Sequence, residues 1–340
     1  MRRWLLTFLT GLALLLALLL GGSYLWLQQP LQPQGPVLDL TIEPGTTPRG
    51  IAQAVVDAGC KTSADMLFLW FRFSGQSRAI KAGSYEITST TTPRTLLSML
   101  VRGEESLRSV ALVEGWNFRQ VRAALAKADL LKPDTHGLSE ADIMAQLGRP
   151  GVHPEGRFYP DTYTYAKGAS DLSVLKRAML FMDKQLAKAW DNRYKQIPLK
   201  SPEDVLILAS IVEKETGKAS DRPMIAGVFA NRLKLGMLLQ TDPTVIYGMA
   251  LRFDGNLRRE DLRADTPYNT YTRPGLPPTP IAMPGKAALM AAVQPANTPA
   301  LYFVAKGDGS SHFSSSLGEH NRAVNRYQRG QGSVLSPTGH

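Results

Sequence analysis

One uncharged apolar run at the start of the chain limits what the rest can fold into. "MRRWLLTFLTGLALLLALLL" opens with Arg2 and Arg3 and continues from Trp4 to Leu20 without a charge. Counted on to Leu27, such a helix is long enough to cross a hydrocarbon core of about 30 Å. Tyr24 and Trp26, beyond Gly21-Gly22-Ser23, are expected in the far headgroup belt. The alternative is a cleaved signal peptide, whose apolar core is usually about 7–15 residues and ends in a small-x-small site. The longer run and its aromatic flank predict a retained anchor over residues 1–27. The positive-inside rule then keeps Met1 in the cytoplasm and exports the rest of the chain.

Export narrows the meaning of charge. Among 340 residues, 39 are Lys or Arg and 29 Asp or Glu, a net charge of +10. That excess suits an anionic partner. Outside the cytoplasm this predicts anionic lipid or wall polymer and no nucleic acid. Cys60 is the one cysteine, so no intrachain disulfide forms, and it reads as a small buried residue. His136, His153, His312, His320 and His340 lack the close pairing of a zinc site. No metal and no cofactor are expected.

The pattern predicts an α+β fold beyond the anchor. "QQPLQPQGP", residues 28–36, reads as an extended, unstructured spacer. Residues 37–105 read as a small α/β unit: "VLDLTIEPG" alternates like a strand, and "AGSYEITS" is a second one. The phrase Thr-Thr-Pro-Arg occurs at 46–49 and 91–94, each time between a strand and a helix, as a reused N-cap with proline at the first helical position. Strand–helix–helix–strand order over 38–88 resembles a LysM module, a glycan-binding fold. From about 106 the pattern restarts and runs to 328 as a larger domain, with a disordered tail expected over 329–340.

Within that larger domain, "ASIVEKET" (209–216) places two glutamates at the end of an apolar stretch. Ser201-Pro202 is an N-cap and first helical position, with Asp204 as its partner, and Gly217 is a stop. At roughly 100° per residue, Ile207, Leu208, Ile211, Val212 and Glu215 share a face, while Glu213 turns toward Leu206, Ala209 and Ser210. Both faces are apolar, so the helix is expected to be buried, packed against a sheet. A carboxyl on the greasier stripe loses hydration as the anion, its pKa rises, and it becomes a candidate general acid. Glu213 fits an ion-paired supporting role, with Arg222 or Arg232. Helix geometry alone leaves a plainer reading ahead: Glu215 fixes nearby backbone or an arginine. Asp242 in "QTDPT" is the nearest candidate for the second carboxylate that glycoside hydrolysis normally uses. One glutamate suffices if a substrate hydroxyl replaces water as the nucleophile.

"ASIVEKET", "VFANRLKLGMLLQTDPTVIYG", "YNTYTRPGLPPTPIAMPG" and "LYFVAKGDGSSHFSSSLGEHN", with "KAGSYEI", "LVEGW" and "FYPDTY", together resemble the endolytic murein transglycosylase (YceG-like) family. The resemblance implies a single-pass inner-membrane protein with a periplasmic catalytic domain. It would cut the MurNAc–GlcNAc bond of nascent peptidoglycan without water and leave 1,6-anhydro-MurNAc ends, terminating strand elongation. Glu215 is then the catalytic acid and base. Gln240, Thr241 and Asp242, in a loop or strand start, and Tyr268, Asn269 and Tyr271 are expected to bind substrate. Asn269 is chosen for the N-acetyl group, and Ser210 and Glu213 for support. His320 reads as a satisfied structural histidine. Expected partners are glycan strands, the inner membrane and peptidoglycan synthases (penicillin-binding proteins). The rival readings are a lysozyme-like hydrolase using Asp242 and a non-catalytic peptidoglycan-binding scaffold.

Overall fold

A computed structural model of the chain describes residues 2–329. Most of the tail expected over 329–340 lies outside the described residues. The fold is mixed α+β and divides into two compact units, Met1–Arg108 with Thr164–Gly168, and Ser109–Tyr163 with Ala169 onward.

The first unit begins with helix α1 (Arg2–Gln28). Its segment Phe8–Gln28, of mean hydropathy 2.0, is long and apolar enough to cross a membrane, and no residue of it is fully buried in the fold. Strand β1 (Val37–Ile42), helices α2 (Pro48–Asp57) and α3 (Ala64–Phe73), strand β2 (Gly83–Thr88) and helix α4 (Pro93–Arg102) follow. β1 and β2 are antiparallel, with Val37 opposite Thr88 and Ile42 opposite Gly83. Alternation along the strands sends Leu40, Ile42, Tyr85 and Ile87 into the core. The two Thr-Pro phrases both cap helices: Thr47 accepts the Gly50 N–H, and Thr92 and Thr95 form a reciprocal capping box.

Two expectations fail here. Residues 28–36 are irregular but not a free spacer: Leu31 is 2% exposed in the unit's core, its N–H donates to Thr91, and Pro33 bridges Cys60. The proline-rich composition removed regular structure; the single leucine still found an apolar site. Trp26 packs against the same core instead of standing free for the headgroup belt, whereas Tyr24 is 60% exposed.

Strands β3 (Leu107–Ala111) and β4 (Thr162–Ala166) pair, with α5 (Phe118–Ala126) and α6 (Glu140–Gln146) between them in sequence. Then come α7 (Asp171–Asp191), α8 (Pro202–Glu215), α9 (Arg222–Lys234), α10 (Asp242–Met249), α11 (Arg259–Arg263), α12 (Lys286–Val293), the hairpin β5 (Tyr302–Ala305) and β6 (Ser311–Ser314), and α13 (Leu317–Val324). Between α10 and α12 the chain is mostly irregular, broken by a 3-10 turn at Ala250–Arg252 and the short helix α11.

Every residue of α8 from Val205 to Glu213 is buried. Its neighbours are the helices α12, α9, α7 and α10. The expected packing against a sheet is therefore corrected: a helix apolar on all faces is enclosed by other helices, which meet it from every side. The aromatics of 158–165 are core as well, with Phe118 and Phe158 stacked at 5.1 Å and Tyr163 bonded to the Tyr159 carbonyl.

Candidate active site

Helix α8 aims both glutamates. Ser201 accepts the Asp204 N–H at 3.2 Å, the Asp204 carboxylate accepts the Lys200 N–H at 2.6 Å, and Pro202 fills the first turn. The helix runs without a break to Glu215, where Thr216 turns extended.

The glutamates then diverge. Glu213 forms an ion pair with Arg222 at 2.8 Å and accepts the Gly285 N–H at 2.9 Å. Its side chain is 4% exposed. Glu215 is partly exposed at the end of the helix, and no cation pairs with it among the described residues. Its carboxyl accepts a hydrogen bond from the Thr241 hydroxyl. Burial pushes the Glu215 carboxyl up to about 7, aided by the negative charge of Asp242; the Thr241 hydrogen bond and the Arg232 charge pull the other way. The site thus holds one carboxyl that keeps a proton near neutrality, beside a second carboxyl tied into an ion pair.

Thr241 is itself fixed. Its N–H donates to the Thr270 hydroxyl at 3.1 Å, and the Gln240 N–H donates to the Thr270 carbonyl at 3.0 Å. Gln240 holds φ at 50°, a left-handed conformation that costs a side chain energy and persists only where surroundings enforce it. Arg232 contributes: its guanidinium donates to the carbonyls of Leu238, Leu239 and Leu301 and lies over the Tyr302 ring at 5.2 Å. Asp242 is the first residue of α10, not a strand start, and accepts the Tyr271 hydroxyl at 2.5 Å.

A cleft of about 500 Å³ gathers Glu215, Gln240, Asp242 and Tyr271 with Arg232, Tyr302 and His320. Thr241 is buried under it and reaches it through Glu215. Tyr268 donates to or accepts from Thr279 at 2.8 Å and packs edge-on to Tyr247. Ser210 is fully buried, donating to the Ile207 carbonyl and accepting the Ile281 N–H.

Asn269 corrects the expectation of an N-acetyl contact. It is 0% exposed; its amide N–H groups donate to the carbonyls of Asp261, Leu262 and Ala264, and its oxygen accepts the Tyr271 N–H. It builds the loop that presents Tyr271 and has nothing left for a ligand. His320 corrects in the other direction. Its ring lies on Tyr302 at 5.3 Å and its buried Nδ1 has no hydrogen-bond partner among the described residues, so the described fold does not satisfy it as a structural histidine. Burial, with the Arg232 charge, lowers its pKa.

Sequence reasoning named Arg232 only as a candidate partner for Glu213; Arg222 takes that place and Arg232 frames the cleft. It missed Glu155, which is 3% exposed, accepts the Phe118 N–H with both oxygens and bonds Tyr247. No local pattern in "HPEGRFYP" marks a carboxylate whose partners are far away in sequence. Among the described residues, no three His, Cys, Asp or Glu side chains gather as metal ligands. The site's chemistry is that of a single protonated carboxyl with hydroxyl, amide and aromatic neighbours.

Comparison with known proteins agrees over nearly the whole chain. The YceG-like family matches residues 40–326. An endolytic murein transglycosylase of Bacillus subtilis is 30% identical over 91% of both chains. One from Streptococcus pneumoniae is 26% identical over 93% of this chain and 64% of its own length. The crystal structure of a YceG-like protein from Listeria monocytogenes superposes with a TM-score of 0.52 at 29% identity, covering 84% of this chain and 98% of that one. On a family match over residues 40–326 and a relative 30% identical over 91% of both chains, the chain belongs to the YceG-like family.

Proposed function

We propose that the protein is an endolytic peptidoglycan lytic transglycosylase with Glu215 as its acid and base. The observation that carries the reading is a half-buried carboxyl with a pKa of about 7 and no ion-pair partner among the described residues, in a cleft lined by hydroxyl, amide and aromatic groups. The protonated carboxyl donates its proton to the glycosidic oxygen as the bond from the MurNAc anomeric carbon breaks. Positive charge develops at that carbon. The resulting Glu215 carboxylate accepts the proton of the MurNAc 6-hydroxyl as its oxygen closes on the anomeric carbon. The ring forms, the proton is back on Glu215, and no water is consumed. Thr241 orients the carboxyl, and the Asp242 charge keeps the proton on it until substrate arrives.

The apolar N-terminal helix supports anchoring in the inner membrane with the catalytic domain in the periplasm, near the synthases that make its substrate. The β1–α2–α3–β2 order and antiparallel pairing support a LysM-like glycan-binding unit. Asp242 in the same cleft favours a second reading, a hydrolase in which this carboxylate activates water. Mass spectrometry of strands digested by the full chain in detergent separates them. Anhydro ends support the lyase, and reducing ends identify the hydrolase. Glu215→Gln is expected to abolish either product while binding persists; cleavage by that variant would remove Glu215 from the mechanism.

A further inference from the structure

A second cleft, of about 710 Å³, is lined in part by the same elements, α8 and α10. Consecutive residues divide between the two. On α8, Lys214 lines the second cleft and Glu215 the first; on α10, Pro243 lines the second and Asp242 the first. Neighbouring Cα atoms are about 3.8 Å apart, so the two linings adjoin on both helices. A strand long enough to be cut internally and lying across Glu215 enters the second cleft with the sugar beside the scissile bond.

The lining of that cleft differs in character. Its wall carries Asn117, Arg119 and Gln120 from the start of α5. Arg119 is exposed and makes no ion pair or hydrogen bond among the described residues, and Lys214 meets only the Gly115 carbonyl, at 3.3 Å. Glu155 and Tyr247 close the floor, satisfied by each other and by the Phe118 N–H. Glu140 supplies the one acidic group on the rim. Two cations without carboxylate partners over a cavity of ligand size call for an anionic group on the ligand. A strand stripped of its peptides keeps one lactyl carboxylate on each MurNAc, fixed at the sugar ring; a stem peptide ties that carboxyl into an amide and carries several carboxylates farther out, enough to meet both cations.

We propose that the second cleft receives the peptide-bearing muramoyl unit next to the scissile bond, its stem-peptide carboxylates meeting Arg119 and Lys214. This rests on the peptidoglycan reading above. The test uses the full chain in detergent with two probes: glycan strands bearing stem peptides, and the same strands stripped by an amidase. The Arg119→Ala/Lys214→Ala double variant is expected to raise KM about tenfold on peptide-bearing strands and leave stripped strands unchanged. Binding is measured in parallel with Glu215→Gln as the background, where the double variant should weaken affinity for peptide-bearing strands alone. Equal losses on both probes, or none on either, overturn the proposal. Should the double variant misfold, Arg119→Ala, on an exposed helix position, decides by the same comparison. Absence of strand cleavage by the unaltered protein strikes the catalytic reading instead, while the binding comparison still judges the cleft.

Discussion

Glu213 and Glu215 are chemically identical and two residues apart, yet partnership separates them more than depth does. Glu213 is the less accessible, and its charge is met by Arg222 and an amide; Glu215 is nearer the cleft and meets only a hydroxyl. An acid held at about 7 in the fold and at 4.5 as a free side chain makes folding pH-dependent. Below 4.5 both states keep the proton and nothing is lost; as pH rises toward 7 the unfolded chain releases its proton first, and stability falls. Glu215→Gln mimics the protonated form. It is therefore expected to melt like the unaltered protein at pH 4 and to be more stable by about 3 kcal/mol at pH 8. Thermal melts across that range check it; a difference independent of pH would disprove the raised pKa. The same carboxyl sets the alkaline limb of kcat/KM near pH 7, since the acid must be protonated. Removing the Asp242 charge in Asp242→Asn moves that limb down, and removing the Thr241 hydrogen bond in Thr241→Val moves it up. Glu213→Gln acts otherwise. It leaves Arg222 buried without its counter-charge, at a cost of about 3 kcal/mol seen in thermal melts rather than in the pH profile.

Helices decide which of these residues meet. The α9 helix approaches the 294–298 segment so closely that a Cβ on Gly227 would lie 2.7 Å from the Ala296 carbonyl oxygen. Gly227→Ala should therefore destabilise by about 1–3 kcal/mol, although alanine is the better helix former. A denaturation midpoint equal to or above that of the unaltered protein would show that the segment yields freely. Much at this scale was legible in the sequence. Ser201-Pro202, Thr47-Pro48 and Thr92-Pro93 announce helix starts because capping uses neighbours in the chain. The apolar stretch announced a buried helix, but periodicity holds no information on whether sheets or helices cover it. Asn269 was misread for a related reason. A polar residue in a Pro- and Thr-rich loop serves equally to bind a ligand or to tie its own loop together, and three carbonyls within eight residues took its amide. Arg232 and Glu155 depend on partners far along the chain, such as Leu301 and Phe118, which local spacing does not reveal.

At the scale of the whole molecule, the passage from apolar helix to folded domain is where the sequence reading and the structure differ most. The sequence gives a spacer between anchor and domain; the structure places Leu31 in the first unit's core, with its N–H on Thr91 and the Gln32 carbonyl accepting the Lys61 N–H. These contacts join the residues after α1 to the turns that follow α2 and precede α4, so the unit does not begin at its first strand. A chain starting at Gln29 keeps them all and loses the Trp26 side-chain packing, the bond from the Gln29 N–H to the Trp26 carbonyl and the contacts of α1 with α4. A chain starting at Val37 also opens the leucine site, leaving the Thr91 carbonyl and its neighbours to water. The cost of an emptied leucine site is about 2–4 kcal/mol. The shorter chain is expected to show lower hydrogen-exchange protection in β1, β2 and α4 than the longer one. Residues of the second unit, with Glu215 among them, should exchange alike in both. Equal protection throughout would mean that Leu31 contributes nothing to the first unit and that the stretch does serve as a detachable spacer.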